Sequence, residues 1–277
     1  MGRLRISAIS YLNTAPLMWD FEHGSAGSEF EISYTIPSAC AQALRDGTAQ
    51  IGIIPAAAYA TVPDLVILPG VSIASRGPVR SILLISKLPI EEIRSVALDR
   101  SSMTSVALLK VILAKWVGRE PVFSSLGPDL HEMLRDHDAG LLIGDPALEV
   151  DRSRYHSYDL AEEWIRHTGK PFVFAFWAVG KAALRNAPAN LDLAAIFQKS
   201  RDHGLGKIDD IARIWGPRLV GLSQADVKKY LAENIYYYLD WECLDGLRLF
   251  YRYATACGVL PPAPALEFYE ALKPAIR

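Results

Sequence analysis

The sequence predicts an α/β protein of two lobes, each a mixed sheet flanked by helices, and two observations carry that prediction. Short apolar, β-branched runs alternate with helical patterns along the chain, as in sheets with largely parallel strands covered by helices. The pattern runs once over 4–55 and restarts at 95, and two fully apolar runs, 80–86 and 172–179, stand between the blocks as strands crossing from one lobe to the other.

In the first block, 4–9 reads as a strand and the polar loop Ser10-Tyr11-Leu12-Asn13-Thr14-Ala15-Pro16 leads into a helical turn at Leu17. A second strand follows at 31–36. Pro37-Ser38 opens a helix with Ser38 as its expected N-cap, and Gly47 stops it. The run 51–54, ending at Pro55, is a short buried strand. In the second block, 95–98 is a strand, 99–105 a polar turn and 106–116 an amphipathic helix with Leu108, Leu109, Ile112 and Leu113 on one face. A strand at 121–123, a helix at 128–135 and a strand at 140–143 complete it, ending in Gly144-Asp145-Pro146. Beyond Lys181 the pattern is helical. Ser223-Gln-Ala-Asp226 opens one helix in the manner of a capping box, and 243–257 forms another, stopped by Gly258. The expected lobes are 1–85 with 176–277, and 86–175. The C-terminal helices suit packing on their own lobe or on a second copy in a homodimer.

Composition narrows the function. The chain has 277 residues, a net charge of -2 and no basic run with interleaved aromatics, which argues against a nucleic-acid partner. Cys40, Cys243 and Cys257 are widely spaced, so reduced thiols are expected rather than a disulfide framework or zinc site. No apolar run approaches a membrane span. The N-terminus reads straight into a strand with no signal-peptide pattern, so a cytoplasmic location without membrane contact is expected. No dinucleotide, phosphate-loop, nucleophile-elbow or zinc-protease motif occurs, so neither a metal nor a cofactor is called for.

In open α/β sheets ligands sit beyond the carboxyl ends of strands. Three loops occupy such places: 10–16 from the first lobe, 99–105 and 144–146 from the second. A cleft between lobes brings them together. Ser102, Thr104 and Ser105 stand immediately before or within the first turn of a helix. Unpaired N–H groups there favour a carboxylate or phosphate, although simple capping accounts for one such hydroxyl. Asn13 suits an Asx-turn, or an amide that orients a substrate. Ser81 begins a buried strand where a backbone partner would satisfy it. Asp145 either faces the cleft or caps the helix behind Pro146. None of the six histidines lies in these loops. Arg76 and Arg80 read as exposed turn charges or as cations that steer an anion.

The run Ser10-Tyr-Leu-Asn-Thr-Ala-Pro-Leu17 resembles the N-terminal signature of the chorismate dehydratase family of the futalosine route to menaquinone. Further matches in order are Leu44-Arg-Asp-Gly, Ile51-Gly-Ile-Ile-Pro55, Gly77-Pro-Val-Arg-Ser81, 99–105, Gly144-Asp145, Tyr158-Asp-Leu-Ala-Glu-Glu-Trp164 and Thr168-Gly-Lys-Pro-Phe-Val-Phe174. The resemblance spans roughly 4–257. It implies a type II periplasmic-binding-protein-like fold used as an enzyme, with the chorismate dianion as substrate and no cofactor. It also implies that Asn13 orients the substrate and that Ser81 holds a carboxylate or the departing hydroxyl. Tyr11, Thr14, Ser102, Thr104, Ser105 and Asp145 then complete the binding shell. The sister enzyme, 1,4-dihydroxy-6-naphthoate synthase, carries a Ser-Pro-Cys-Pro-Asn-Asp type of opening motif, absent here. A non-catalytic small-anion-binding protein is the alternative from another class. Ala56-Ala57-Ala58 departs from the family, where a hydroxyl or acidic residue is expected.

Overall fold

The computed structural model describes residues 3–185 and 191–270. Ten strands form two five-stranded sheets. The first sheet has the order β2 (Phe30–Thr35), β1 (Leu4–Ile9), β3 (Ile51–Pro55), β10 (Phe172–Gly180), β4 (Leu65–Ser75). The second runs β7 (Val122–Leu126), β6 (Ser95–Asp99), β8 (Ala139–Ile143), β5 (Ile82–Ser86), β9 (His156–Asp159). Each sheet is mixed. β1 pairs parallel with β2 and β3, and β6 parallel with β7 and β8, while β10 and β5 run antiparallel to their neighbours.

The chain changes sheets between β4 and β5, and again between β9 and β10. Residues 82–85, expected in the first lobe, pair in the second sheet; 172–175, expected in the second lobe, pair in the first. Neither apolar run spans both sheets. The crossing before β5 is the non-strand segment 76–81, where Arg80 takes a left-handed φ of 62°. The return crossing contains the helix Leu160–Thr168. An all-apolar run marks a central strand but carries no information on which sheet it joins.

One carboxylate ties both crossings. Asp159 accepts from the N–H groups of Val79 (3.1 Å) and Arg80 (2.6 Å), and from Ala161 (3.0 Å) and Glu162 (3.2 Å) at the start of the helix Leu160–Thr168. Burial pushes its carboxyl up, while those four donors pull it down. The strained Arg80 backbone is thus held by the N-cap of the neighbouring helix, which offsets a cost of about 1–3 kcal/mol for such a conformation.

The loop after β1 is seated by residues far away in sequence. It forms a short 3-10 helix, Leu12–Met18, whose inner side packs on the helix Leu193–Leu205. At Gly204 the contact is backbone to backbone: a Cβ there would lie 1.9 Å from the Pro16 carbonyl oxygen. Ser200 donates to the Leu17 carbonyl (2.8 Å) and accepts from the Asp20 N–H (3.1 Å). Phe197 from the same helix packs against Phe21, Phe30 and Trp177. Burial of one such ring contributes roughly 1.5–3 kcal/mol.

The capping box at Ser223 and Asp226 is present. The expected Ser38 cap is not. Pro37 occupies the first helical position, Ile36 precedes it as the N-cap, and the Ser38 N–H instead donates to the Ser101 carbonyl in the other lobe (3.1 Å). Proline's preset φ starts that helix without a side-chain cap. The C-terminal helix Trp241–Ala256 packs on β10 and on the helix Thr104–Ile112. All three cysteines are free thiols, and among the described residues no helix is long and apolar enough to cross a membrane.

Candidate active site

A cavity lies between the lobes, lined by residues of both. The first lobe contributes Ile9, Tyr11 and Asn13 from the end of β1 and its loop, Pro37, Pro55, Ile73, Phe174 and Ala175. The second contributes Ile82, Ile143, Gly144 and the residues 102–105. The walls are therefore mostly apolar. No lining residue is charged, and none is a histidine.

Polarity is concentrated on two opposed features. One is Asn13. The other is the start of the helix Thr104–Ile112, whose N-cap residue Met103 makes no side-chain cap. The first turn of any helix leaves N–H groups without intrahelical partners and carries a positive dipole end. The hydroxyls of Ser102 and Ser105 take no protein partner among the described residues, so they are available to a ligand beside those N–H groups. Capping does not account for this cluster.

Thr104 behaves differently. Its hydroxyl accepts from the Ala57 N–H (3.1 Å) and donates to the Phe174 carbonyl (3.0 Å). Both partners belong to the first sheet's lobe, so Thr104 straps the lobes together as well as lining the cavity. The strap also gives Ala56-Ala57-Ala58 its role: the polar group offered after Pro55 is a main-chain N–H.

Tyr11 lines the cavity and reaches Ser101 across the cleft (Oη to Oγ, 3.2 Å). Ser101 donates in turn to the fully buried Asp99 carboxylate (2.7 Å). The Ser101 proton is thereby committed, and Tyr11 is the donor in its contact with Ser101. Burial raises the Tyr11 phenol, and the Asp99 and Asp145 charges raise it further.

Asp145 does not line the cavity. Its Oδ1 accepts from the Leu12 N–H across the cleft (2.9 Å), so it caps the site loop of the other lobe rather than its own helix. Burial is the main cause that pushes its carboxyl up to about 6, Glu149 adds to this, and the Leu12 N–H opposes it. The folded value lies above the unfolded one, so the folded chain holds more protons between about pH 4 and 6, and this group's contribution to stability falls as pH rises through that window. Asp145→Asn keeps an acceptor oxygen and removes the charge. It is expected to raise unfolding free energy above pH 6 by on the order of 2 kcal/mol and to change little at pH 4. Urea unfolding at both pH values checks this; an equal difference at both would assign the effect to packing.

Two other residues lie elsewhere than the resemblance implies. Thr14 is buried, contacts Asn13 (Oγ1 to Oδ1, 3.4 Å) and lines a second hollow that shares Ile9 and Tyr11 with the first. Ser81 is fully buried and is absent from the cavity wall; its Oγ accepts from the Tyr230 hydroxyl (2.8 Å). Tyr230 itself gave no signal in the sequence, because it lies 149 positions from Ser81 in an ordinary helical pattern. Arg76 is neutralised by Asp240 (2.6 Å) and Glu242 (2.7 Å) and rests over the Tyr236 ring, so it is not a free steering cation.

Two mixed sheets joined by double crossings, closed over a cleft with an uncapped helix start, define the class of two-lobed, periplasmic-binding-protein-like chains. Solved structures agree on the fold. A protein from Archaeoglobus fulgidus superposes with a TM-score of 0.69 at 16% identity, covering 93% of this chain and 98% of that one. The periplasmic aliphatic sulphonate binding protein of Escherichia coli superposes with a TM-score of 0.65 at 16% identity, covering 97% and 92%. A Candida albicans protein described as having the generic periplasmic binding protein structural fold gives 0.62 at 14%, covering 96% and 93%. In sequence, residues 4–256 match the menaquinone biosynthesis family, to which the chain belongs. The chorismate dehydratase of Thermus thermophilus is 32% identical over 272 residues, covering 92% of this chain and 94% of that one.

Proposed function

We propose that this chain is a chorismate dehydratase, a hydro-lyase that converts chorismate to 3-(1-carboxyvinyloxy)benzoate and water in menaquinone biosynthesis, in the cytoplasm and without a nucleic-acid or membrane partner. The observation that carries the reading is the uncapped start of the helix Thr104–Ile112, with Ser102 and Ser105 unpartnered, facing Asn13 across an apolar cavity. Such a cavity suits a ring, and such a helix start suits a carboxylate. Membership of the menaquinone family and the relatedness to a dehydratase support it.

In the reaction the C–H bond at the ring carbon bearing the enolpyruvyl ether breaks, and so does the C–O bond to the neighbouring hydroxyl. Water is lost overall and the ring becomes aromatic. The cavity wall offers no carboxylate, histidine or amine to take the proton. The carboxylate of the substrate's own enolpyruvyl side chain is the base in this account. The protein then acts by orientation and by fixed dipoles. Asn13 orients the substrate, the N–H groups and hydroxyls at 102–105 hold a carboxylate, and Tyr11 closes the wall. Ser81, buried and off the cavity wall, acts on the site through its neighbours rather than by touching the substrate.

The test is incubation of the purified chain with chorismate, followed by ultraviolet absorbance and mass spectrometry. An aromatic product lighter than chorismate by one water is expected. Binding without turnover would instead indicate an anion-binding protein, and turnover only of the sister synthase's substrate would indicate that enzyme.

A further inference from the structure

We propose that Ser101 and Asp99 are positioning residues that hold the Tyr11 phenol oxygen as an acceptor for the hydroxyl of the substrate, a role that rests on the dehydratase reading.

Asp99 ends β6, and the chain turns back over it. Its Oδ1 accepts from both the N–H (2.9 Å) and the hydroxyl (2.7 Å) of Ser101, and its main-chain carbonyl accepts from the Ser102 N–H (3.0 Å). Ser101 is gripped from the first lobe as well, where the Ser38 N–H donates to its carbonyl (3.1 Å). Ser101 thus has a fixed place independent of Tyr11. Its hydroxyl proton is on Asp99, so its oxygen accepts from the Tyr11 hydroxyl at 3.2 Å, the loosest link. The line runs one way, from Tyr11 to Ser101 to Asp99.

A turn alone does not need a carboxylate. An asparagine at 99 would offer the same Oδ1 to the Ser101 N–H. The chain instead carries a fully buried carboxylate whose Oδ2 takes no hydrogen bond among the described residues. Burying a charge with one oxygen unpaired is unfavourable, so turn formation leaves it unexplained. A charge at the end of the line accounts for it. A carboxylate cannot donate to Ser101, so neither hydroxyl can turn round. An amide could donate through its nitrogen, and the line could then reverse.

The consequence falls on the cavity wall, to which Tyr11 belongs. Asn13, Ser102 and Ser105 can each donate as well as accept, and the Thr104 hydroxyl is committed on both sides. Tyr11 offers a side-chain oxygen that can only accept. Chorismate as a dianion has a single O–H group, the ring hydroxyl that departs, while its carboxylates and ether oxygen only accept. The acceptor-only oxygen and the lone donor are complementary. The product has lost that hydroxyl and has nothing to donate to Tyr11, so the line distinguishes substrate from product.

Tyr11→Phe keeps the ring and removes the acceptor. Relative to wild type, kcat/KM for chorismate is expected to fall at least about tenfold, the scale of a hydroxyl left unpaired in an apolar wall. In Asp99→Asn it should fall at least about fivefold, and combining the two should deepen the Tyr11→Phe loss by no more than about twofold, as for residues that act as one unit. The inhibition constant of 3-(1-carboxyvinyloxy)benzoate should stay within about threefold of wild type in each variant, because the product has no hydroxyl to leave unpaired. A merely structural role would weaken substrate and product alike. A second readout does not depend on turnover. In protein labelled with 13Cζ-tyrosine, the Tyr11 signal, assigned by its loss in Tyr11→Phe, should move in Asp99→Asn and in Ser101→Ala while the other tyrosine signals stay in place. Undiminished kcat/KM in Tyr11→Phe or Asp99→Asn, an equal loss of product affinity, or an unmoved Tyr11 signal overturns the proposal. Wild-type protein that leaves chorismate unchanged would sink the dehydratase reading and the hydroxyl assignment with it, and the Tyr11 signal would still decide whether the line exists. Should Asp99→Asn fail to fold, Ser101→Ala interrupts the line with the carboxylate retained and must show the same split between substrate and product.

Discussion

Asn13→Ala should lower kcat for chorismate by about 100- to 1000-fold, the scale expected when an orienting contact made to the reacting groups is lost. Asn13 is a polar side chain that the site loop places on the cavity wall, which it shares with the start of the helix Thr104–Ile112 and where no lining residue is charged. The substitution should leave the fold intact, since Leu12, Pro16 and Leu17 on either side remain buried and the loop stays pinned by Ser200 and Gly204. A melting temperature within a few degrees of wild type, together with the kinetic loss, separates orientation from stability. Asn13→Asp is isosteric but sets a negative charge against a dianion, so it should raise KM as well. Near-normal turnover in Asn13→Ala would remove the central assignment.

Gly144→Ala should break the closed cleft. Gly144 sits at φ 65° and ψ -143°, a region open essentially to glycine alone. An added Cβ would also stand 2.5 Å from Tyr11 Cδ2 and 2.6 Å from Cε2. The Tyr11 ring cannot simply turn aside, because its hydroxyl is bonded to Ser101. The corner cannot retreat freely either, since the Gly144 N–H donates to the Ser81 carbonyl (2.8 Å) and Asp145 holds Leu12. Either Tyr11 leaves the cavity wall or the lobes part. The variant should lose roughly 2–4 kcal/mol of stability from strain and overpacking combined. Its KM for chorismate should rise at least about tenfold, because the open state must then be closed at the substrate's expense. Unfolding curves and steady-state kinetics on the same preparation measure both; an unchanged KM would show that the Tyr11–Gly144 contact does not govern closure.

Much of this architecture was legible in the residues. The strands Leu4–Ile9, Ser95–Asp99 and Ala139–Ile143 read as short apolar runs, and the loops that follow them each place at least one residue on the wall of one cavity. The helix starting at Thr104 follows from the 3.6-residue period of Leu108, Leu109 and Ile112, all fully buried. Leu65–Ser75 was not read, because Pro69-Gly70 interrupts it. The interruption is a bulge, with Gly70 at φ 78° and its carbonyl, like that of Pro69, held by the helix Leu193–Leu205. His156–Asp159 is too short and polar to show a period.

The site was legible as a set of loops but not as a set of roles. Pattern along the chain says that a hydroxyl lies near a helix start, not what it faces. Thr104 turned out to strap two lobes, Asp145 to hold the opposite loop, and Ser81 to lie behind the wall it was expected to form. Each of these outcomes depends on a partner at least 47 positions away. Tyr230 was missed for the same reason. Its hydroxyl becomes informative only when Ser81 is brought to it by the fold.

The most direct test of the account is a crystal structure of the chain with 3-(1-carboxyvinyloxy)benzoate bound. The account predicts the ring between Ile82, Ile143 and Phe174, one carboxylate on the N–H groups and hydroxyls at 102–105, and Asn13 within hydrogen-bonding distance of the ligand. Product seated in the second hollow beside Thr14, or in the cleft with its carboxylates away from both Asn13 and the helix start, would contradict it.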